Sequence, residues 1–278
     1  MIVPPIKSQG IKTKLITWIN DLIQKSELTN NKRWIEPFFG TGVVGFNSPI
    51  LGEHLVGDTN PYIISFYQSI KNGNVTPDSM RNYLEHESSF LVEKGYSHFL
   101  RVRERFNREH SVYDFIFLSR SGFNGMMRFN SRGEWNVPFC KKINRFSKSY
   151  ITKICNQIKS VRDVIFENEW YFYNLDFTEL ISRASIGDLI YCDPPYYGRY
   201  SDYFNAWTKE NECTLFKMLS KTPAKFILST WHHNYYRENE MFKCFWNNFN
   251  VITTEHHYYN GGKISNRHPI VEALVFNF

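Results

Sequence analysis

At 278 residues, 42% hydrophobic and 22% charged, the chain is long enough to bury a substantial core, as one large domain or one domain with an insertion. Its five cysteines (Cys140, Cys155, Cys192, Cys213, Cys244) are widely spaced and form no C-x-x-C pair, which argues against a disulfide framework or zinc cluster and for a reducing cytoplasm. The stretch "MIVPPIKSQGIKTK" lacks the apolar segment of a secretory signal, and no apolar run approaches a membrane span. Net charge is +6 and unevenly spread. Residues 67–162 hold 17 Lys and Arg against 8 Asp and Glu, leaving 16 against 19 elsewhere. A basic middle segment suits a polyanion, and charge alone leaves a merely solvated basic face equally open.

In chain order, "KLITWINDLI" (14–23) repeats apolar residues at helical spacing. "RWIEPFF" (33–39) and "EHLVGD" (53–58) read as short buried strands, with a Gly-rich turn and a helix expected between them. From 62 to about 160 the pattern turns helical, as in "HFLRVRERFN" and "SKSYITKICNQIKSV", around a Gly- and Asn-rich piece at 119–139. Strands return with "WYFYNLDF" (170–177), "DLIYCDPPYY" (188–197), "AKFILSTW" (224–231), "FNVITTEHHYY" (249–259) and "VEALVFNF" (271–278). The expected organisation is an α/β domain, 1–61 and 163–278, interrupted by a basic insertion, 62–162.

Gly40, Gly42 and Gly45 in "IEPFFGTGVVGFN" spell G-x-G-x-x-G, and Asp58 follows where a ribose hydroxyl would want an acidic residue. Alone, these glycines say only that backbone passes close to a ligand or a helix, so a nicotinamide dinucleotide and other nucleosides both remain open. "LIYCDPPYYGRY" narrows the choice. Asp193, Pro194, Pro195 and Tyr196 follow an apolar strand, at the sheet edge where α/β proteins bind ligands. The prolines stiffen the turn and remove backbone donors. A carboxylate, a free carbonyl and an aromatic face suit a planar base bearing an exocyclic amino group. An ordinary Asp-Pro turn is the bland alternative.

The chain resembles Dam-type (class alpha) DNA adenine methyltransferases, through "PPIKSQGIKTK" (4–14), "EPFFGTGVVGFN" (36–47), "GDTNP" (57–61), "FNGMMRFNSRGEWNVPFCKK" (123–142), "LDF" (175–177) and "DPPY" (193–196). The resemblance implies a Rossmann-like S-adenosylmethionine-dependent methyltransferase sheet with an inserted, mostly helical target-recognition domain carrying a β-hairpin. It implies methyl transfer from S-adenosylmethionine, leaving S-adenosylhomocysteine, to an adenine flipped out of double-stranded DNA, without a metal. Gly10, Lys12, Glu36, Phe38, Gly40, Gly42, Asp58, Asp176, Phe177 and Asp193 would hold the cofactor, and Asp193, Pro194, Pro195 and Tyr196 the target adenine. An aromatic residue usual shortly before the N-terminal lysine is Ser8 here. Lys7, Phe123, Asn124, Met126, Arg128, Asn136, Pro138 and Phe139 are the expected base-contacting set, with Arg128 on a guanine; Lys141, Lys142, Arg145 and Lys148 are expected on phosphates. The implied site is a GAT-containing palindrome such as GATATC or GATC. The implied setting is the cytoplasm of a prokaryotic or phage-infected cell, with or without a cognate restriction endonuclease and with no membrane partner. An RNA- or protein-directed methyltransferase and a catalytically silent DNA-binding module are the alternatives. The pairs His232–His233 and His256–His257 lack metal-ligand spacing, and the loop 260–269, with Lys263 and Arg267, reads as a DNA-backbone contact or a plain hairpin tip.

Overall fold

A computed structural model describes residues 1–8, 10–197, 207–256 and 269–278. Helix α1 (Ile16–Lys25) buries Ile16, Ile19, Leu22 and Ile23, the apolar stripe its periodicity predicts. Strands β1 (Arg33–Glu36) and β2 (Glu53–Gly57) pair in parallel, with Ile35 opposite Leu55. Five helices then separate β2 from β3: α2 (Pro61–Lys71), α3 (Pro77–Lys94), α4 (Tyr96–Glu109), α5 (Val112–Ser121) and α6 (Lys148–Glu167). The rest of the chain supplies β3 (Glu169–Tyr173), α7 (Phe177–Ile181), β4 (Asp188–Cys192), α8 (Lys209–Lys221), β5 (Lys225–Asn234), β6 (Asn250–His256) and β7 (Ile270–Phe276).

Among the described residues these strands form one seven-stranded sheet in the order β3-β2-β1-β4-β5-β7-β6. The first five pair in parallel, and β7 runs antiparallel to both β5 and β6. The order reverses between β1 and β4, and in open α/β sheets the crevice beyond such a reversal is where ligands bind. All five residues of β4 are buried, as expected of a central parallel strand covered on both faces.

Strand alternation divides the core in two. Trp34, Val56, Leu189 and Tyr191 belong to one apolar cluster, while Ile35, Leu55, Ile190 and Cys192 point into the other. The first cluster continues without a break into the helical segment through Phe66, Phe99, Phe106, Phe115 and Trp135. Segment 62–162 therefore shares its core with one face of the sheet. Asn60 caps α2 by accepting from the Tyr62 amide, with Pro61 next to it, and Thr76 and Ser79 cap α3 reciprocally ahead of Pro77.

Three local departures from the sequence reading have simple causes. β1 stops at Glu36 because Pro37 has no amide to give the ladder. After the Gly turn comes a single 3-10 turn, Gly45–Asn47, where a helix was expected; Ser48 is extended ahead of Pro49, which disfavours helix at the residue before it. β3 stops at Tyr173, short of 177, because the Asp176 carboxylate accepts from the Thr178 amide at 2.9 Å and starts α7. The missing helix also bears on ligand choice. A dinucleotide pyrophosphate sits on a helix N-terminus, and a three-residue turn does not provide one.

Candidate active site and nucleic-acid interface

Parallel pairing of β1 with β4, Ile35 opposite Ile190, brings together two motifs about 150 residues apart. From β1 come Glu36 and the Gly turn; from β4 comes the Asp193–Tyr196 turn. Glu36 is buried and accepts from Trp34 Nε1 at 2.9 Å. Burial pushes its carboxyl well above the usual range, against the pull of that bond, with Asp193 and Asp58 adding to the rise. Gly40 and Gly42 have φ of +51° and +76°, in the left-handed region that suits glycine. A Cβ at Gly42 would lie 2.5 Å from the Phe39 ring. The Gly40 amide and the Asn60 amide each donate to Asp58 at 2.8 Å, so the end of β2 is tied to the turn after β1. Burial raises the Asp58 carboxyl and these two amides lower it. Gly10 turns the N-terminal segment at φ +73°, two residues before Lys12.

An aromatic wall stands beside the turn. Phe38 stacks on Phe177 with ring centroids 5.3 Å apart, and Trp207 meets both at 5.4 Å. Asp176, exposed next to Phe177, caps α7. The sequence reading missed Trp207. Its indole nitrogen donates to Glu212 at 2.6 Å, and Trp246 donates to the other oxygen of that buried carboxyl at 2.8 Å. Burial raises Glu212, and both indoles oppose the rise.

Lys12 reaches across from the N-terminal segment. It is buried, and its ammonium lies 2.9 Å from Asp193 Oδ1 and 2.9 Å from Tyr196 Oη. Tyr196 Oη in turn donates to Glu272 Oε2 at 2.6 Å. Burial raises the Asp193 carboxyl above its ordinary value, Lys12 pulls it back, and Glu272 pushes it further up. Pro194 is buried, with Pro195 and Tyr196 half-buried beside it. Glu272 was also missed. Its signal in the sequence is a lone charge inside an otherwise apolar strand, "IVEALVF".

Residues 121–140 fold back on themselves as the expected hairpin. Phe123 and Pro138, Ser121 and Cys140, and Arg128 and Asn136 are joined by backbone bonds of 2.9–3.0 Å, and Asn124, Gly125 and Gly133 take positive φ. The returning arm alternates: Trp135, Val137 and Phe139 are buried, Asn136 and Pro138 exposed. Phe123 is 47% exposed, Asn124 is exposed, and Met126 is half-buried. The Arg128 guanidinium folds onto its own hairpin, donating to the Asn136 carbonyl at 2.8 and 3.2 Å. Lys7 lies against the hairpin base: its stem packs over Gly125, where a Cβ would sit 2.9 Å away. Burial, with Arg145 nearby, lowers its ammonium. Lys141, Lys142 and Lys148 are exposed.

One expected DNA contact is corrected by this packing. Phe139 is a core residue, its ring 5.0 Å from that of Phe99, so no face is presented to a thymine methyl. Arg145, half-buried, donates to the Arg120 carbonyl at 2.6 Å and to Tyr150 Oη at 2.7 Å while lying over the Tyr150 ring, so it also braces the hairpin base. The inward turn of Phe139 follows from period-two alternation, which a motif match does not report.

Among the described residues no group of three His, Cys, Asp or Glu side chains is placed to hold a metal ion. His232 and His233 face each other, Nδ1 to Nδ1 at 2.8 Å, and burial with that neighbour lowers His232. His257 and residues 260–268 lie outside the described residues. No helix among the described residues is long and apolar enough to cross a membrane.

Similarity to known proteins agrees with this geometry. The chain is 33% identical over 176 residues to the DNA N-6-adenine-methyltransferase of Escherichia phage P1, covering 61% of this chain and 21% of that protein. It is 26% identical to the retron Ec67 DNA adenine methylase of Escherichia coli over 77% of this chain and 71% of that one. With the DNA adenine methylase of E. coli K12 it shares 29% over 62% of this chain and 59% of the relative. The phage and K12 relatives are thus matched over less than two thirds of their own length. A family model described as D12 class N6 adenine-specific DNA methyltransferase matches residues 8–260, nearly the whole chain, and the chain belongs to that family.

Proposed function

We propose that this chain is a site-specific DNA adenine methyltransferase that uses S-adenosylmethionine to methylate the exocyclic amino nitrogen of an adenine flipped out of the duplex. One observation carries the reading: β1–β4 pairing sets the Gly turn, with Asp58 and the Phe38–Phe177–Trp207 wall, beside the Asp193–Tyr196 turn at one sheet reversal. The residues fit a sulfonium nucleoside. Side chains are absent at Gly40 and Gly42, an acidic group at the end of β2 suits ribose hydroxyls, and aromatic rings suit adenine. When bound, that cofactor supplies an activated methyl group and leaves as S-adenosylhomocysteine.

The chain's own residues supply position and charge. An adenine amino nitrogen is a poor nucleophile, its lone pair delocalised into the ring, and inside a duplex it is unreachable, so extrusion costs a few kcal/mol. In this reading Asp193 and the Pro194 carbonyl accept from the amino group, which frees its lone pair for in-line attack. Tyr196 offers its ring to the flipped base. With the cofactor held by the Gly turn, Asp58 and the aromatic wall, Asp193 would keep the amino nitrogen oriented through the transfer, and the proton that nitrogen sheds would pass to solvent. Alignment and electrostatic placement of this kind are the main sources of rate in such transfers.

Segment 62–162 is proposed as the DNA-recognition unit. Its hairpin offers Phe123, Asn124, Met126, Arg128, Asn136 and Pro138 to bases, Lys7 supports it from the N-terminal segment, and Lys141, Lys142 and Lys148 suit phosphates. The proposed target is a GAT-containing palindrome, and a cognate endonuclease is a fitting partner in the cell. The test is tritium transfer from labelled S-adenosylmethionine to duplex DNA, beside RNA and peptide, followed by methylation-sensitive sequencing. Labelled adenine in duplex DNA alone is expected; labelling confined to RNA or peptide overturns the reading.

A further inference from the structure

β7 is apolar except for one residue. Glu272 is fully buried between β5 and β6, in register with Trp231 and Thr254. Cys192, the last residue of β4, is level with Leu228, so Trp231 and Glu272 lie three residues further along, roughly 10 Å past the strand end. That is the level of the Asp193–Tyr196 turn. Burying a carboxylate is costly, and an apolar side chain of like volume serves a sheet core at least as well. A lone acidic side chain there points to a task outside the core.

The bonding says what the task is. Tyr196 Oη gives its proton to Glu272 at 2.6 Å, so its oxygen faces Lys12 as an acceptor, at 2.9 Å. Lys12, drawn to that oxygen, also contacts Asp193 at 2.9 Å. Carboxylate, phenol, ammonium and carboxylate thus form one chain from β7 to the proposed target-base site. We propose that Glu272 is a positioning residue for methyl transfer: by accepting from Tyr196 it orients the ring meant to stack on the flipped base and, through Lys12, aims Asp193. This rests on the methyltransferase reading above.

The test uses the full chain with S-adenosylmethionine and a duplex it methylates, in single-turnover assays at saturating DNA, with cofactor affinity and thermal melting measured alongside. Glu272→Met, which removes the acceptor at similar volume, is expected to slow transfer by about tenfold, and Tyr196→Phe to do the same. Glu272→Gln, which keeps an acceptor oxygen, is expected to recover to within about threefold of wild type. Because both changes break the Tyr196–Glu272 bond, and Tyr196→Phe the Lys12 contact as well, the double variant Glu272→Met with Tyr196→Phe should be no slower than the slower single variant. Cofactor affinity should move by less than about twofold. Losses that multiply in the double variant, a Gln variant as slow as Met, or a wild-type rate in either single variant overturns the proposal. Should Glu272→Met fail to fold, Tyr196→Phe and Glu272→Gln decide by the same criteria. A wild-type chain that labels no duplex overturns the methyltransferase reading itself; an active wild type with the wrong variant pattern overturns only the role of Glu272.

Discussion

At the sheet edge, Lys12 is shared between Asp193 and Tyr196, Tyr196 leans on Glu272, and Asp58 is held by two amides. In hairpin 121–140, Phe123, Asn124, Asn136 and Pro138 instead face solvent above a buried row of Trp135, Val137 and Phe139. The first region holds its polar groups in each other's geometry; the second anchors a frame and leaves its outward side chains to whatever approaches. Methyl transfer needs alignment before the substrate arrives, whereas reading a sequence needs groups that exchange water for base edges. Basic residues divide the same way. Arg145 is bonded to Arg120 and Tyr150, while Lys141, Lys142 and Lys148 stay at the surface.

Breaking the preorganised region should cost most. Asp193→Ala removes the carboxylate that Lys12 holds, and single-turnover methyl transfer is expected to fall by about a hundredfold or more with the fold intact by circular dichroism. A variant turning over at the wild-type rate would refute the assignment of the Asp193–Tyr196 turn.

The rigidity of the sheet can be read through pH. His54 on β2 is buried against Trp170, ring centroids 4.2 Å apart, and burial lowers its pKa to about 4. The unfolded chain, near 6.5, therefore binds more protons between pH 6.5 and 4, so this residue makes stability decline with acidification through that window. Its full cost, on the order of 3 kcal/mol, is reached below pH 4. Replacing it by His54→Phe should flatten the dependence of Tm on pH there; an unchanged slope places the titrating groups elsewhere.

On the reading side, Arg128→Ala should cost about 1–3 kcal/mol on the preferred site and almost nothing on sites already mismatched at the guanine it contacts. Methylation of the preferred duplex and each single-base variant, by wild type and mutant, checks this. A uniform loss on all substrates would reassign Arg128 to phosphate, and the contrast between reading and anchoring residues would weaken. The smallest effect is expected at Lys148→Ala, which should weaken all sequences alike and lower the log–log salt slope of binding by roughly one. Binding that ignores salt would mean the basic segment faces something other than DNA.

Much of the site was legible in linear order because its chemistry sits in short runs. The Gly turn, Asp58, the Asp193–Tyr196 turn and the hairpin block each announce themselves locally, and strand positions followed from apolar runs, with ends misplaced where Pro37, the Asp176 cap and the turn after Cys192 stop a strand and where β5 runs on to Asn234. Trp207 and Glu272 were not legible as site residues, since neither belongs to a motif and each matters through residues distant in the chain.

By itself the sequence determined local conformation and chemical inventory: glycines where φ is positive, prolines where strands stop, caps where helices start, and a basic surplus in one segment. Only the tertiary structure decided adjacency and exposure. Parallel pairing of β1 with β4 set Glu36 near Asp193, antiparallel β7 carried Glu272 to Tyr196, and the hairpin's pleat turned Phe139 inward while leaving Pro138 outside. Propensity and capping act over a few residues, whereas sheet order and strand phase are set by burying two apolar faces at once, a condition that only the assembled chain meets.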